Sequence, residues 1–219
     1  MRSVVILCRH GNTFSAGEKV VMVGAQEDLP LTEHGLQQAV DVGTALRGIA
    51  PHIQRIVSGP LLRTSVFAEV LKVSSGSAAP ISIDKRLLEL DYGAWSGLSN
   101  EEIIAMSGEI ALQEWQEKGI RPKATQFHPS EESSIAEVAS VLRELENGAG
   151  VSVIVSSNGR LREFRRLAEA VDGRLQQPKN SGKVRTGGSC VLERVASGWR
   201  VVAWDCDSQG LQGVLAELK

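Results

Sequence analysis

Arg9 and His10 stand side by side where an apolar run ends, and Gly11, Asn12 and Thr13 follow them. A guanidinium group presents a fixed fork of donors that fits a phosphate. A neutral imidazole beside a cation can attack phosphorus and carry the phosphoryl group covalently. Gly11 would let the backbone come close to a ligand, and Asn12 and Thr13 are candidate substrate-binding side chains. A core histidine with its hydrogen bonds satisfied would explain His10 equally well. Ser58-Gly59-Pro60-Leu61-Leu62-Arg63 supplies a second arginine at a helix start; alone, Arg63 reads as a solvated helix charge. Glu89 lies between leucines, and a carboxyl group among apolar side chains can act as a general acid. Asp91 is its rival for that role, and a surface turn is the plainer reading. Ser156-Ser157-Asn158-Gly159 offers hydroxyls, an amide and helix-start N–H groups, which either cradle a phosphate or merely cap the helix.

These residues need a scaffold. Ser3 to Cys8, Arg55 to Ser58, Ile81 to Asp84 and Val151 to Val155 read as short strands. Helices follow. Thr32 caps one with an inward face of Leu36, Ala39, Val40, Gly43 and Leu46, stopped by Gly48 and Pro51. Another begins near Pro60 with a stripe of Leu62, Val66 and Val70. Ser134-Ile-Ala-Glu137 reads as a capping box ahead of Val138, Val141, Leu142 and Leu145. A further helix runs from Asn158 to about Ala170; most of Arg160, Arg162, Arg165 and Arg166 form its solvated face. Cys190 to Val195 and Trp199 to Trp204 pair as a C-terminal hairpin. Alternating strands and helices predict an α/β three-layer sandwich: a mostly parallel sheet, helices on both faces and a closing hairpin. Ligands of such sheets bind outside the carboxyl ends of the strands, where all four chemical segments fall.

Composition agrees with one domain spanning 1–219. Of 219 residues, 42% are hydrophobic and 23% charged, which excludes disorder as the main state. The net charge of -2 gives no basic field for nucleic acid or acidic membranes, so neither is an expected partner. Cys8, Cys190 and Cys206 form no paired or metal-ligand spacing; reduced thiols in a cytoplasmic protein are expected. Val4 to Cys8 is too short for a signal-peptide core or a membrane span. Glu18 to Glu27 is apolar for a loop at Val20 to Val23, and it either packs over the site or supports a homodimer. His128, Lys183 and Arg185 read as surface residues that could also meet an anionic substrate.

The ordered set of motifs resembles the histidine phosphatase superfamily, the phosphoglycerate-mutase-like group. Arg9-His10-Gly11-Asn12-Thr13 matches the family's Arg-His-Gly-x-Thr opening. Leu31-Thr32-Glu33-His34-Gly35, the segment from Ser58 to Arg63, and Glu89 with Gly93, Trp95 and Gly97 are similar to its later motifs. The resemblance implies that His10 becomes phosphohistidine. It implies that Arg9 and Arg63 clamp the phosphoryl oxygens and that Glu89 protonates the leaving group. It implies a small phosphorylated substrate and no metal or other cofactor. The aromatic Trp95 and the lack of arginine after Glu89 favour a phosphatase over a phosphoglycerate mutase.

One departure stands out. Many members carry a second histidine after the fourth strand, where this chain has Ser157 with Asn158 beside it. Three readings stay open. Ser157 or Asn158 donates in its place. Alternatively, transition-state stabilisation is weaker, by about 10²–10³ in rate for one lost donor. In the third reading, the chain is a phosphate-binding pseudoenzyme.

Overall fold

Alternation along two central strands sets the layering. The computed structural model describes residues 3–146, 148, 150–172 and 182–217. In β1 (Ser3–Arg9), Val4, Ile6 and Cys8 enter one core while Val5 and Leu7 enter another. In β4 (Gly150–Ser156), Val151, Val153 and Val155 join the first and Ile154 the second, as a period-2 strand buried on both faces requires. With β2 (Ile53–Ser58), β3 (Ile81–Ile83), β5 (Ser189–Val195) and β6 (Gly198–Cys206), they form one sheet of order β3-β2-β4-β1-β5-β6. The first four are parallel to one another; β5 runs antiparallel to β1 and pairs with β6 as the hairpin. The expected sandwich is present.

One face is covered by α1 (Glu33–Leu46), α2 (Leu62–Ser75) and α7 (Ser208–Glu217), through Val42, Phe67, Leu71 and Leu211. The other is covered by α5 (Glu131–Glu146) and α6 (Asn158–Asp172), through Val141, Leu142, Leu161 and Phe164. A cap rises between β3 and α5. It contains α3 (Asn100–Ser107) and α4 (Glu109–Gln113), which runs into a π-turn over Glu114–Lys118. Its own core joins Leu90, Tyr92, Trp95, Ile103, Leu112 and Trp115, with Phe127 edge-on to Tyr92, Trp95 and Trp115.

Four local expectations are corrected. The buried face of α2 is Thr64, Phe67, Ala68 and Leu71; of the expected stripe, Val70 packs partly buried against this core, Val66 is half-buried and Leu62 is exposed. Arg63 is buried on that helix, so a phase counted on apolar residues alone falls one position out. α5 begins at Glu131, and Ser130 Oγ accepts from the Ser133 N–H at 3.2 Å. Ser134 and Glu137 form no capping box; both meet Arg160 Nη1, at 2.9 Å each. The capping box in this part of the chain joins Ser99 and Glu102 at the start of α3. Finally, α6 does not solvate Arg160 and Arg162, which are 1% and 5% exposed. An arginine stem packs like an aliphatic chain wherever carbonyl or carboxylate acceptors await its head.

Candidate active site

The segment after β1 is held by backbone bonds on both sides. The His10 N–H donates to Ser156 O on β4 at 3.1 Å, and the Gly187 N–H donates to His10 O at 3.1 Å. Gly11 serves a close approach of backbone to backbone. A Cβ there would lie 2.3 Å from the carbonyl oxygen of Gly35, and one on Gly35 would lie 2.3 Å from Asn12 O. The two glycines let the segment after β1 and the first turn of α1 touch backbone to backbone. Thr32 completes the joint: its N–H donates to Asn12 O at 2.9 Å, and its hydroxyl accepts the Gly35 N–H as the helix cap.

His10 is 7% exposed, and its Nδ1 lies 2.8 Å from Gly11 O. A carbonyl oxygen only accepts, so Nδ1 carries the proton and Nε2 keeps the lone pair. Burial first, then the charges of Arg9 and Arg63, hold this imidazole well below its ordinary pKa. It is neutral at pH 7, as a nucleophile must be.

Arg63 donates from Nη1 to Glu27 O at 2.8 Å and from Nη2 to Gly24 O at 2.6 Å. Asp28 accepts the Leu62 N–H at 2.6 Å. Together they seat the loop from Glu18 to Asp28 beside α2. Val20 to Val23 line the cleft, as one of their two expectations held, although Val20 is 65% exposed. Glu89 is buried. Its Oε1 accepts the Leu90 N–H at 2.8 Å, its Oε2 accepts the Gly159 N–H at 3.1 Å, and the Tyr92 hydroxyl donates to it. Glu89 thus takes the Gly159 N–H at the start of α6 that an N-cap side chain would ordinarily receive. Ser157 Oγ is buried with no hydrogen-bond partner among the described residues.

The rivals separate. Arg9, His10, Asn12, Thr13, Arg63, Glu89 and Asn158 line one cleft of about 1130 Å³. Ser157 and Asp91 are not among its lining residues. Asp91 instead accepts from Gln26 at 2.9 Å, the Gly93 N–H at 2.8 Å and Ser96 at 3.2 Å. Its partial burial raises the pKa, but these bonds outweigh that and lower it. His128 is exposed and pairs through its backbone with Asp91.

Residue types alone did not single out two other lining groups, Trp115 and Arg162; Lys183, read as a surface residue that could also meet an anionic substrate, lines the cleft as well. Arg162 donates to Trp115 O at 2.7 Å and Gln116 O at 3.1 Å, and its guanidinium lies 4.7 Å from the Trp115 ring centre. Burial brings its pKa down to about 10. A signal existed: Arg162 lies one helical turn after Asn158, on the same face of α6.

The arrangement offers a neutral nucleophile, fixed cations and a carboxyl group around one space, which suits phosphoryl transfer. Comparison with known proteins agrees. The model of the histidine phosphatase superfamily (branch 1) matches residues 5–207. The chain belongs to that superfamily. Within it, the "Probable phosphoglycerate mutase GpmB" of Salmonella choleraesuis (strain SC-B67) is 40% identical over 105 residues, 48% of this chain and 45% of the relative. The alignment therefore spans about half the length of the curated relatives it matches. Among solved structures, a mycobacterial glucosyl-3-phosphoglycerate phosphatase superposes with a TM-score of 0.74 at 23% identity, covering 94% of this chain and 100% of that one. The alpha-ribazole phosphatase from Shigella flexneri superposes with a TM-score of 0.69 at 19% identity, covering 93% and 96%. At these identities the structures show a shared fold.

Proposed function

We propose that the chain is a phosphatase that hydrolyses a small phosphomonoester through a phosphohistidine on His10. One observation carries the reading: the bond from Nδ1 to Gly11 O leaves Nε2 as the base-free lone pair in a cleft lined by Arg9 and Arg63. Nε2 attacks phosphorus, and the bond from phosphorus to the ester oxygen breaks. Glu89 gives that oxygen a proton. Water then attacks the phosphohistidine, Glu89 takes its proton, and inorganic phosphate leaves. The guanidinium groups offset the charge on the phosphoryl oxygens throughout.

The relationship to a phosphoglycerate mutase supports a second reading, in which a substrate hydroxyl replaces water in the second step. Phosphate release from a panel of phosphomonoesters, with wild type and His10→Ala, tests the first reading. Wild type turns substrate over and the variant does not. Equal turnover by both proteins rules the mechanism out. Interconversion of phosphoglycerates without net phosphate release would favour the mutase.

A further inference from the structure

The loop leading into β5 is fastened to the catalytic segment at successive residues. The Val184 N–H donates to Asn158 Oδ1 at 2.8 Å, and Arg9 Nη1 donates to Val184 O at 2.6 Å. Two cleft residues thereby hold the N–H and the carbonyl of one residue. The Val184 side chain is fully buried, anchoring the same point from below. Farther along, the Thr186 hydroxyl donates to Asn12 Oδ1, and the Arg9 N–H donates to Gly188 O at 2.9 Å.

Lys183 immediately precedes this clamped residue and lines the cleft. Burial first, then the charges of Arg9 and Arg162, lower the pKa of its ammonium group, and the Asp205 carboxylate opposes them. Like charges gathered at one wall repel, and an anion placed among them removes the repulsion. Asn158, meanwhile, commits its carbonyl oxygen to Val184. That bond orients the side chain and uses only its acceptor.

Resting on the phosphatase reading above, we propose that Lys183, on the wall of the cleft that holds His10, Arg9 and Arg63, binds the phosphoryl group and makes up for the second histidine that many members of the superfamily carry. Asn158 is a positioning residue, which sets Lys183 in place through Val184. An ammonium group contributes a full charge and several donors where an imidazole contributes one donor, so transition-state binding need not be lost with the histidine.

Titration calorimetry with inorganic phosphate tests this directly. Lys183→Met keeps the stem and removes the charge, and it is expected to weaken phosphate binding at least tenfold. Lys183→Gln gives a second neutral variant, with thermal unfolding as the check on the fold. Lys85→Met removes an exposed charge outside the cleft and leaves the affinity within twofold. Asn158→Ala weakens binding in the wild-type background and has no further effect on Lys183→Met, because its action runs through the lysine. In turnover, Lys183→Met lowers kcat by about 10²-fold. Wild-type affinity in Lys183→Met, an equal loss in Lys85→Met, or no phosphate binding by wild type would each overturn the assignment. Additive effects of the two cleft substitutions would overturn the role given to Asn158. A failure of the phosphohistidine reading shows instead as His10→Ala turning over like wild type, whatever the titrations give.

Discussion

Burying His10 makes stability depend on pH in a definite direction. A free imidazole takes up a proton near pH 6.5, and in the fold this happens well below that value, because of burial and the Arg9 and Arg63 charges. As pH falls below about 6.5, the unfolded chain binds a proton that the folded chain refuses, so stability falls. Above that pH the residue adds no slope. Urea unfolding of His10→Gln between pH 7 and pH 5, compared with wild type, should show a flatter loss of stability; parallel curves would count against a neutral buried imidazole. A second expectation separates the two acids. Glu89→Gln should slow hydrolysis by roughly 10²–10⁴, most for esters with poor leaving groups, since those need a proton. Asp91→Asn, which alters a turn outside the cleft, should leave the leaving-group dependence as it was. A series of aryl and alkyl phosphates measures both. At this scale Arg9, His10, Arg63 and Glu89 were legible, because residue type and distance from a strand end carry the chemistry. Arg162 was not, and Lys183 was legible only as a surface residue that could also meet an anionic substrate. Lysines and arginines on surfaces are common, and only the folded contacts of Val184 and Trp115 bring these two to the cleft.

Elements meet here with little room. The segment after β1 touches α1 through Gly11 and Gly35, and a methyl group on either would overlap backbone that has no side chain to swing aside. Gly35→Ala should therefore cost roughly 1–3 kcal/mol in denaturant unfolding. It should also weaken phosphate binding, as His10 shifts with the loop. Unchanged stability would show that the two segments part easily. Thr32 as the cap of α1 was readable in advance, since a threonine ahead of an apolar period has one common use. The phases of α2 and α6 were not, because each buries an arginine that a count of apolar residues treats as solvent-facing. The misplaced start of α5 has the same source. Ser134 and Glu137 have the spacing of a cap but meet Arg160 from a neighbouring helix.

Taken whole, the molecule has two sheet-packed cores and a smaller third in the cap. Alternating strands and helices made the first two legible. The cap was missed, because α3 and α4 are short and their Ile104, Met106 and Ile110 remain exposed, leaving no clean periodic stripe. With a smaller core of its own, the cap should open on its own before the sheet does. In native-state hydrogen exchange, amides of α3 and α4 should exchange faster than those of β1 and β4, every residue of β4 being buried. Equal protection would mean that cap and sheet unfold as one unit. The grip on Val184 has a further implication for synthesis. Residue 9 leaves the ribosome early, yet the peptide it must grasp is made more than a hundred residues later. A growing chain thus carries His10 through most of translation without the neighbours that complete its cleft, which forms only with the final strands.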